Sequence, residues 1–284
     1  MSSPDRPALV TDGTSCLAPG LAGALSVGVV GLHLALDGVE VPEADVDPVA
    51  FAQRLVEAPG TVTTSSPAPG AFLAAFDRAA AAGARRVLCL ACGSNVSGTA
   101  SAARVAAGLA GVPVEVVDTG TVGGGLLLVV LAVARALTDG ASYEEARVLT
   151  SEVTGRVSST WSSATPERLQ ASGRLRGDLP ATGVPVLALE GEVRVLGRAW
   201  DVGESSALQA AVVRAAAAGR PTPVTVGASD DPAAADALAA ALDGALGITV
   251  LDRYVVAPVV TAHVGASSFG ASYLAPLARA AVAG

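Results

Sequence analysis

The chain has 284 residues and a formal net charge of −8, with 51% hydrophobic and 15% charged residues. This length favours two domains, and the composition supplies enough apolar side chains for a large core. The acidic balance argues against nucleic acid, whose phosphates require a basic face, and against an anionic membrane surface, although a local basic patch leaves room for transient membrane contact.

The cytoplasm is the predicted location of the protein. Residues 1–7 are polar and lack the apolar run of a signal peptide, and the most apolar helical stretch, 126–137, is too short to span a bilayer. An odd number of cysteines, three, fits a reducing compartment. Cys89 and Cys92 form a C-x-x-C, but their odd spacing on a strand favours buried small side chains over a redox or metal pair.

Strands and helices alternate along the first half of the chain. The predicted strands are 8–11, 26–36, 39–41, 87–92 and 112–118, and the main predicted helices are 47–58, 69–83, 100–109, 126–137 and 142–157. This alternation is typical of a parallel sheet that helices cover on both faces. Asp12, Ser94 and Asp118 follow the carboxyl ends of predicted strands, where such sheets bind ligands.

The second half of the chain has a different pattern. A hairpin spans 184–196, strands are predicted at 224–228, 248–251 and 254–260, and helices at 205–218, 230–242 and 273–281. Hairpins mixed with helices predict an α+β domain. The predicted fold class is therefore α/β with two domains, an N-terminal parallel-sheet α/β/α domain over 1–160 and a C-terminal α+β domain over 161–284.

Local motifs leave several functions open. The polar turn 93–99 joins a strand to a helix start, where backbone N–H groups and hydroxyls are able to hold an anion. The glycine loop 120–125 lacks the G-x-G-x-x-G spacing and the lysine of nucleotide loops, so close helix packing is favoured there. Ser97 is not in a G-x-S-x-G elbow, and the two histidines, His33 and His263, form no metal-binding pattern.

Taken singly, the remaining polar candidates have structural interpretations. Thr64, Ser65 and Ser94 are by default helix caps, Arg174 is by default a solvated arginine, and a lone histidine such as His263 is usually structural.

Six motifs follow one another along the chain. They are V-T-D-G-T-S at 10–15, T-S-S-P at 64–67, G-S-N-V-S-G-T at 93–99, V-D-T at 117–119, S-G-R at 172–174 and A-H-V-G at 262–265. In order and in spacing, these motifs together resemble the DegV family of bacterial fatty-acid-binding proteins. The third is the most specific, because it is similar to the family's S-S-x-L-S-G-T. The chain departs from the family pattern in four respects. Gly93 replaces serine, Ser66 replaces glutamine, 265–267 replaces G-P-G, and the lysines often found before the family's G-G-R are absent.

The resemblance implies the two-domain EDD fold with a ligand tunnel between the domains and one long-chain fatty acid as the bound ligand. It implies that Thr64, Ser65 and Ser94 bind the carboxylate, that His263 reaches it from the second domain, and that Arg174 helps to neutralise it. The supporting loop residues would be Ser97, Gly98, Thr99 and Asp118.

The resemblance also implies a carrier rather than an enzyme, without metal or cofactor. Such a carrier presents the carboxylate to a separate fatty acid kinase subunit with a nucleotide-binding domain, which forms an acyl phosphate for phospholipid synthesis. Arg174 and Arg198 are the candidate kinase contacts, and no nucleic-acid partner is expected. Two alternatives stay open: an acyl or phosphoryl hydrolase or transferase that uses Ser94 or His263, and a lipid sensor that binds another amphiphile.

Overall fold

The computed structural model describes residues 7–57, 60–175 and 177–276. Its strands are β1 Ala8–Asp12, β2 Val27–Val30, β3 His33–Leu36, β4 Val39–Pro42, β5 Val62–Ser65, β6 Val87–Ala91, β7 Val114–Asp118, β8 Val157–Ser162, β9 Val184–Glu190, β10 Glu192–Ala199, β11 Thr222–Ala228, β12 Ile248–Val255 and β13 Phe269–Leu274. Its α-helices are α1 Pro19–Leu25, α2 Pro48–Glu57, α3 Pro69–Ala81, α4 Thr99–Ala107, α5 Gly124–Thr138, α6 Tyr143–Thr154, α7 Glu167–Ala171, α8 Val202–Ala217, α9 Pro232–Leu242 and α10 Pro258–Val264.

The first sheet is parallel and has the strand order β2-β1-β6-β7. Every residue of β6 is buried, which explains its unbroken apolar run. On one face Cys89 packs with Phe72 and Phe76 of α3, and on the other Leu88 and Leu90 pack in the core that contains α5. This arrangement confirms the predicted parallel sheet with helices on both faces.

The second sheet is mixed and has the order β10-β9-β8-β13-β11-β12, in which only the β11–β12 pair is parallel. Its core side chains pack with those of α8 and α9. A mainly antiparallel sheet with helices packed against it confirms the α+β character predicted for the second half. The proposed boundary at residue 160 falls inside β8, a strand of this sheet, and the division of the chain at that point stays a prediction.

Helix α5 contacts both of these sheets, through β6 on one side and through β8, β11 and β13 on the other. Most of its side chains are buried between the two sheets, which explains why its sequence is apolar apart from Arg135 and Thr138. Across the described ranges, no helix combines the length and the hydropathy needed to cross a bilayer.

A third, antiparallel sheet has the order β4-β3-β5. The turn that joins β3 to β4 is the predicted Asp37-Gly38 hairpin turn, and both residues have positive φ, 52° and 84°. Helix α10, from the second half of the chain, packs against β5 and α2. This contact brings a C-terminal helix to the sheet that carries Thr64.

Several predicted elements differ from the structure in type or extent. The stretch 26–36 forms two strands, and the helix predicted to 157 ends at Thr154. The strand predicted at 248–251 continues to Val255, residues 258–260 begin α10, and 273–274 end β13. Pro258 at the first position of α10 is a helix-start signal that the β-branched run 255–260 obscured. The strand β13 forms because it is paired on both sides, by β8 and β11, which overrides the helical preference of alanine. The rest of the predicted last helix, 277–281, lies outside the described residues.

Candidate ligand-binding site

A cavity lies among the loop after β6, the end of β5, α10 and the segment after α7. We call it the polar cavity, and its polar lining side chains are Thr14, Thr64, Ser97, Arg174 and His263. The other lining residues are apolar, apart from the buried Cys92. The structure therefore brings together three of the five predicted carboxylate ligands, from positions 64, 174 and 263.

Three of these side chains form a hydrogen-bonded chain. Thr64 Oγ1 lies 2.7 Å from His263 Nε2, and Arg174 Nη1 lies 3.4 Å from His263 Nδ1. Because a guanidinium only donates, Nδ1 must accept, so Nε2 carries the hydrogen and donates to Thr64. The hydroxyl hydrogen of Thr64 is then left for a further acceptor, such as an anion.

Among the three hydrogen-bonded side chains, Arg174 carries the positive charge. Burial, and then the charges of Arg174 and Arg168, lower the pKa of His263 to about 4, so the imidazole is neutral at pH 7. Burial also lowers the pKa of Arg174, but an arginine remains charged at neutral pH. In the described part of the chain Arg174 forms no ion pair, and its Nε donates to the carbonyl of Val96 at 3.0 Å. The cavity thus presents one partly buried positive charge.

Backbone turns aim these side chains at the cavity. Gly173, with φ of 71°, reverses the chain after α7 so that Arg174 points back, and Leu175 bridges to Val193. Thr64 lies on β5, opposite Leu34 of β3. His263 lies in the last turn of α10, whereas the sequence predicted a strand, 254–260, just before it.

Ser94 lies outside the polar cavity. It is exposed, its backbone N–H donates to Asp118 Oδ1 at 3.0 Å, and its side chain also bonds to Asp118. Burial by itself would raise the pKa of Asp118. The bonds from Ser94, a further bond from the N–H of Gly120 and the positive charge of Arg104 outweigh burial, so the pKa of Asp118 lies below its ordinary value. The predicted direct contact of Ser94 with a ligand is therefore not part of this geometry.

Ser97 takes the position in the cavity lining that the motif suggested for Ser94. Its hydroxyl lies 2.8 Å from Thr99 Oγ1 and 3.2 Å from Ser66 Oγ, so it joins the loop before α4 to the segment after β5. Ser65, the other predicted ligand, is exposed and does not line the cavity. The choice between these serines depends on how the loop folds, which residue type and spacing do not reveal.

The glycine at position 93 has a steric reason. A Cβ there would collide with Asn95 Oδ1 and come within 2.6 Å of the carbonyl carbon of Gly120. Asn95 in turn donates from Nδ2 to the carbonyl of Gly191 at 2.7 Å, in the turn between β9 and β10. The departure from the family's serine thus accompanies a direct link between this loop and the second sheet.

Three other residues that the sequence analysis singled out do not line the polar cavity. Asp12 is fully buried and accepts hydrogen bonds from Thr14 and from the N–H of Cys92, so it fixes the ends of β1 and β6. Gly98 is the exposed N-cap residue of α4. Arg198 is exposed on β10, where it stacks on Trp200 and donates to Thr182, outside the cavity lining.

A second, mainly apolar cavity adjoins the first. We call it the apolar cavity; the two share the lining residues Val122, Trp161, Leu189, Val260 and Val264. The glycine loop lies at its edge, where a Cβ on Gly124 would come within 2.8 Å of Ser272 Oγ and would collide with the Tyr254 hydroxyl. Close packing of α5, favoured from the sequence over a nucleotide site, is what the structure shows for this loop.

The arrangement suits an amphiphilic anion, with its charge beside Arg174 and its apolar part beyond Trp161. In the ranges described here, no group of three or more His, Cys, Asp or Glu side chains is placed to hold a metal ion. The sequence motifs gave Ser97 only as a supporting loop residue, and they missed Trp161 and Tyr254 as lining residues. Only the rarity of tryptophan, two in the chain, was a signal for any of them.

Comparisons with known proteins agree with the geometry. The family model of uncharacterised DegV family proteins matches residues 6–276. A DegV domain-containing protein of Streptomyces coelicolor is 30% identical over 271 residues, 93% of this chain and 96% of the relative.

Two solved structures share the fold. The first, from Thermus thermophilus and described as showing fatty acid binding of a DegV family protein, is 29% identical, with a TM-score of 0.86 over 95% of this chain and 100% of that one. The second, a DegV lipid-binding protein from Thermotoga maritima, is 21% identical, with a TM-score of 0.84 over 95% of this chain and 98% of its own, and shows likeness of fold alone. The present chain belongs to the DegV family.

Proposed function

We propose that the protein binds one long-chain fatty acid, with the carboxylate in the polar cavity and the acyl tail in the apolar cavity. The observation that carries this proposal is the Arg174–His263–Thr64 chain at one end of adjoining cavities whose remaining walls are mainly apolar. The fatty acid binding described for the Thermus thermophilus relative supports it.

The energetics favour such a ligand. A carboxylate taken out of water is costly unless it is paired and hydrogen-bonded, and charge-assisted bonds from Arg174 with a hydroxyl from Thr64 would supply both. Each methylene moved from water into the apolar cavity contributes ~0.8 kcal/mol. The tail would therefore provide most of the affinity and the polar cavity the orientation.

We propose further that the protein is a cytoplasmic carrier that presents the carboxylate to a nucleotide-binding fatty acid kinase for acyl-phosphate formation. Arg174 is a candidate for contact with both ligand and kinase, because it lines the polar cavity and is only partly buried. Arg198 is a candidate kinase contact because it is exposed and is held in place by stacking on the exposed Trp200.

The geometry supports a carrier over a hydrolase. A serine nucleophile needs an adjacent base, but the Ser94 hydroxyl bonds to Asp118, whereas His263 bonds to Thr64. The Nδ1 of His263 faces a cation rather than a carboxylate, so proton uptake by the imidazole is opposed. His263 is therefore suited to donate a hydrogen bond and unsuited to act as a base at neutral pH.

Native mass spectrometry of the purified protein tests binding. We expect a mass increment equal to one fatty acid, its loss after organic extraction, and its return when a fatty acid is added back. Absence of an acyl ligand together with no binding of added fatty acids would overturn the proposal. Turnover of acyl or phosphoryl esters by the protein alone, abolished in Ser94→Ala, would favour the hydrolase instead.

The kinase step needs its own assay. With a fatty acid kinase and ATP, acyl phosphate is trapped by hydroxylamine, and Arg198→Ala should slow its formation without changing fatty acid affinity. Arg194→Ala is the matched control, because Arg194 is an exposed arginine on the same strand that pairs with Glu190. Equal effects of the two substitutions would contradict a specific contact at Arg198.

A further inference from the structure

Four residues form a row across the second sheet, one on each of four neighbouring strands. Trp161 of β8 lies opposite Gly270 of β13, which lies opposite Gly227 of β11, which lies opposite Tyr254 of β12. All four line the apolar cavity. Two aromatic side chains thus stand at the two ends of a row whose middle positions have no side chain.

Neither glycine has room for a side chain. A Cβ on Gly270 would collide with the carbonyl oxygen of Thr160 and come within 2.5 Å of Trp161 Cβ, and a Cβ on Gly227 would collide with the ring of Tyr254. The Tyr254 ring therefore lies over Gly227, and Gly270 packs closely against the strand that carries Trp161. At about 4.8 Å per strand, the row spans roughly 14 Å from Trp161 to Tyr254.

The two aromatic residues differ in what they border. Trp161 lines both the polar and the apolar cavity, so it lies where they meet. Tyr254 lines the apolar cavity and also a third cavity, whose lining includes Asp230, Asp236 and Arg253. Tyr254 thus borders both the apolar cavity and a pocket with charged walls.

The Tyr254 side chain is held in place at its hydroxyl end. The Tyr254 hydroxyl bonds to the backbone of Gly124 at the start of α5 and to the side chain of Ser272. Ser272 Oγ lies 2.7 Å from Ser159 Oγ, in a buried pair. The ring is therefore fixed both by the flat surface of Gly227 and by hydrogen bonds at its far end.

We propose that Tyr254 is the end wall of the acyl-binding cavity and sets the longest chain that the protein accepts. This inference rests on the proposed fatty acid binding. A tail that enters past Trp161 and runs along the glycines meets the Tyr254 ring. A longer tail would have to displace a side chain that two hydrogen bonds hold.

The test compares affinities for saturated fatty acids from laurate to behenate in the wild type, Tyr254→Ala, Tyr254→Leu and Tyr254→Phe. Displacement of a fluorescent fatty acid measures each Kd. In the wild type, Kd should fall about fourfold per added methylene until the cavity is full, and then rise. Tyr254→Ala should move this turning point to longer chains, and Tyr254→Leu should move it in the same direction by a smaller amount. Tyr254→Phe keeps the ring over Gly227 but lacks the two hydrogen bonds, so it should move the turning point less than Tyr254→Leu does.

The outcomes are distinguishable. A wild type that binds no member of the series overturns the proposed function and this inference with it. A wild type that binds, with the same turning point in Tyr254→Ala and Tyr254→Leu, overturns the inference alone. If thermal unfolding shows that Tyr254→Ala does not fold, Tyr254→Leu decides the question, because it retains an apolar side chain over Gly227.

Discussion

Thr64 and Ser94 offer a direct test of the site, because sequence similarity assigns both to the carboxylate whereas the structure places only Thr64 in the polar cavity. Thr64→Val keeps the β-branched shape on β5 and removes only the hydroxyl. Loss of a hydrogen bond to a charged group costs about 1.5–3 kcal/mol, so Kd for a fatty acid should rise roughly 10- to 150-fold. Ser94→Ala alters an exposed side chain, and its effect should stay within about twofold.

Isothermal titration calorimetry with one fatty acid, at one pH and salt concentration, measures both Kd values. Thermal unfolding of each variant without ligand serves as the control, because a variant that is largely unfolded would bind weakly for a different reason. The reasoning is refuted if Ser94→Ala weakens binding as much as Thr64→Val does. That result would mean that the loop before α4 rearranges to bring Ser94 to the ligand.

Three further predictions concern stability and reactivity. The pKa of His263 is lowered to about 4, so the folded protein takes up this proton only at a lower pH than the unfolded chain does. The free energy of unfolding should therefore fall by about 3 kcal/mol as pH falls from 6.5 to 4. Urea titrations across this range should show a flatter pH profile for His263→Gln than for the wild type. Burial raises the pKa of Glu43 to about 7, because the ionised carboxylate is poorly solvated there. The free energy of unfolding should therefore fall by about 3 kcal/mol as pH rises from 4.5 to 7, and Glu43→Gln should remove this fall. The prediction is contradicted if the unfolding free energies of Glu43→Gln and wild type differ by the same amount at pH 4 and at pH 8. Burial raises the pKa values of Cys16 and Cys92 to about 12, and that of Cys89 as well, so a thiol reagent at pH 8 should modify none of them in the native protein and all three after unfolding.

The layers of the fold follow from local sequence patterns. The unbroken apolar run of β6 needs burial on both faces, and the alternation with amphipathic helices leaves few arrangements other than a covered parallel sheet. Asp37-Gly38 specifies its hairpin because the tight turn requires positive φ at both positions. These features depend on residues near one another in the chain, so the sequence was sufficient to predict them.

Long-range pairing decided the elements that the sequence missed. β8 is rich in serine and threonine, and its hydroxyls are stabilised only by partners far along the chain, such as Ser272 for Ser159 and the carbonyl of Leu187 for Thr160. β13 is a strand because β8 and β11 pair with it on both sides.

The candidate site also combines features that the sequence predicts with features that only the tertiary structure shows. Motif similarity picked out Thr64, Arg174 and His263, because the residue types needed to hold a carboxylate are readable from sequence. Only the tertiary structure showed that His263 reaches Thr64 from a helix 199 positions further along the chain, and that Ser97, rather than Ser94, lines the cavity. The sequence by itself determined which chemistry is present, and the packing of three sheets determined which of those groups meet. Packing decides this because a side chain's direction depends on backbone turns and on distant neighbours that local composition does not specify.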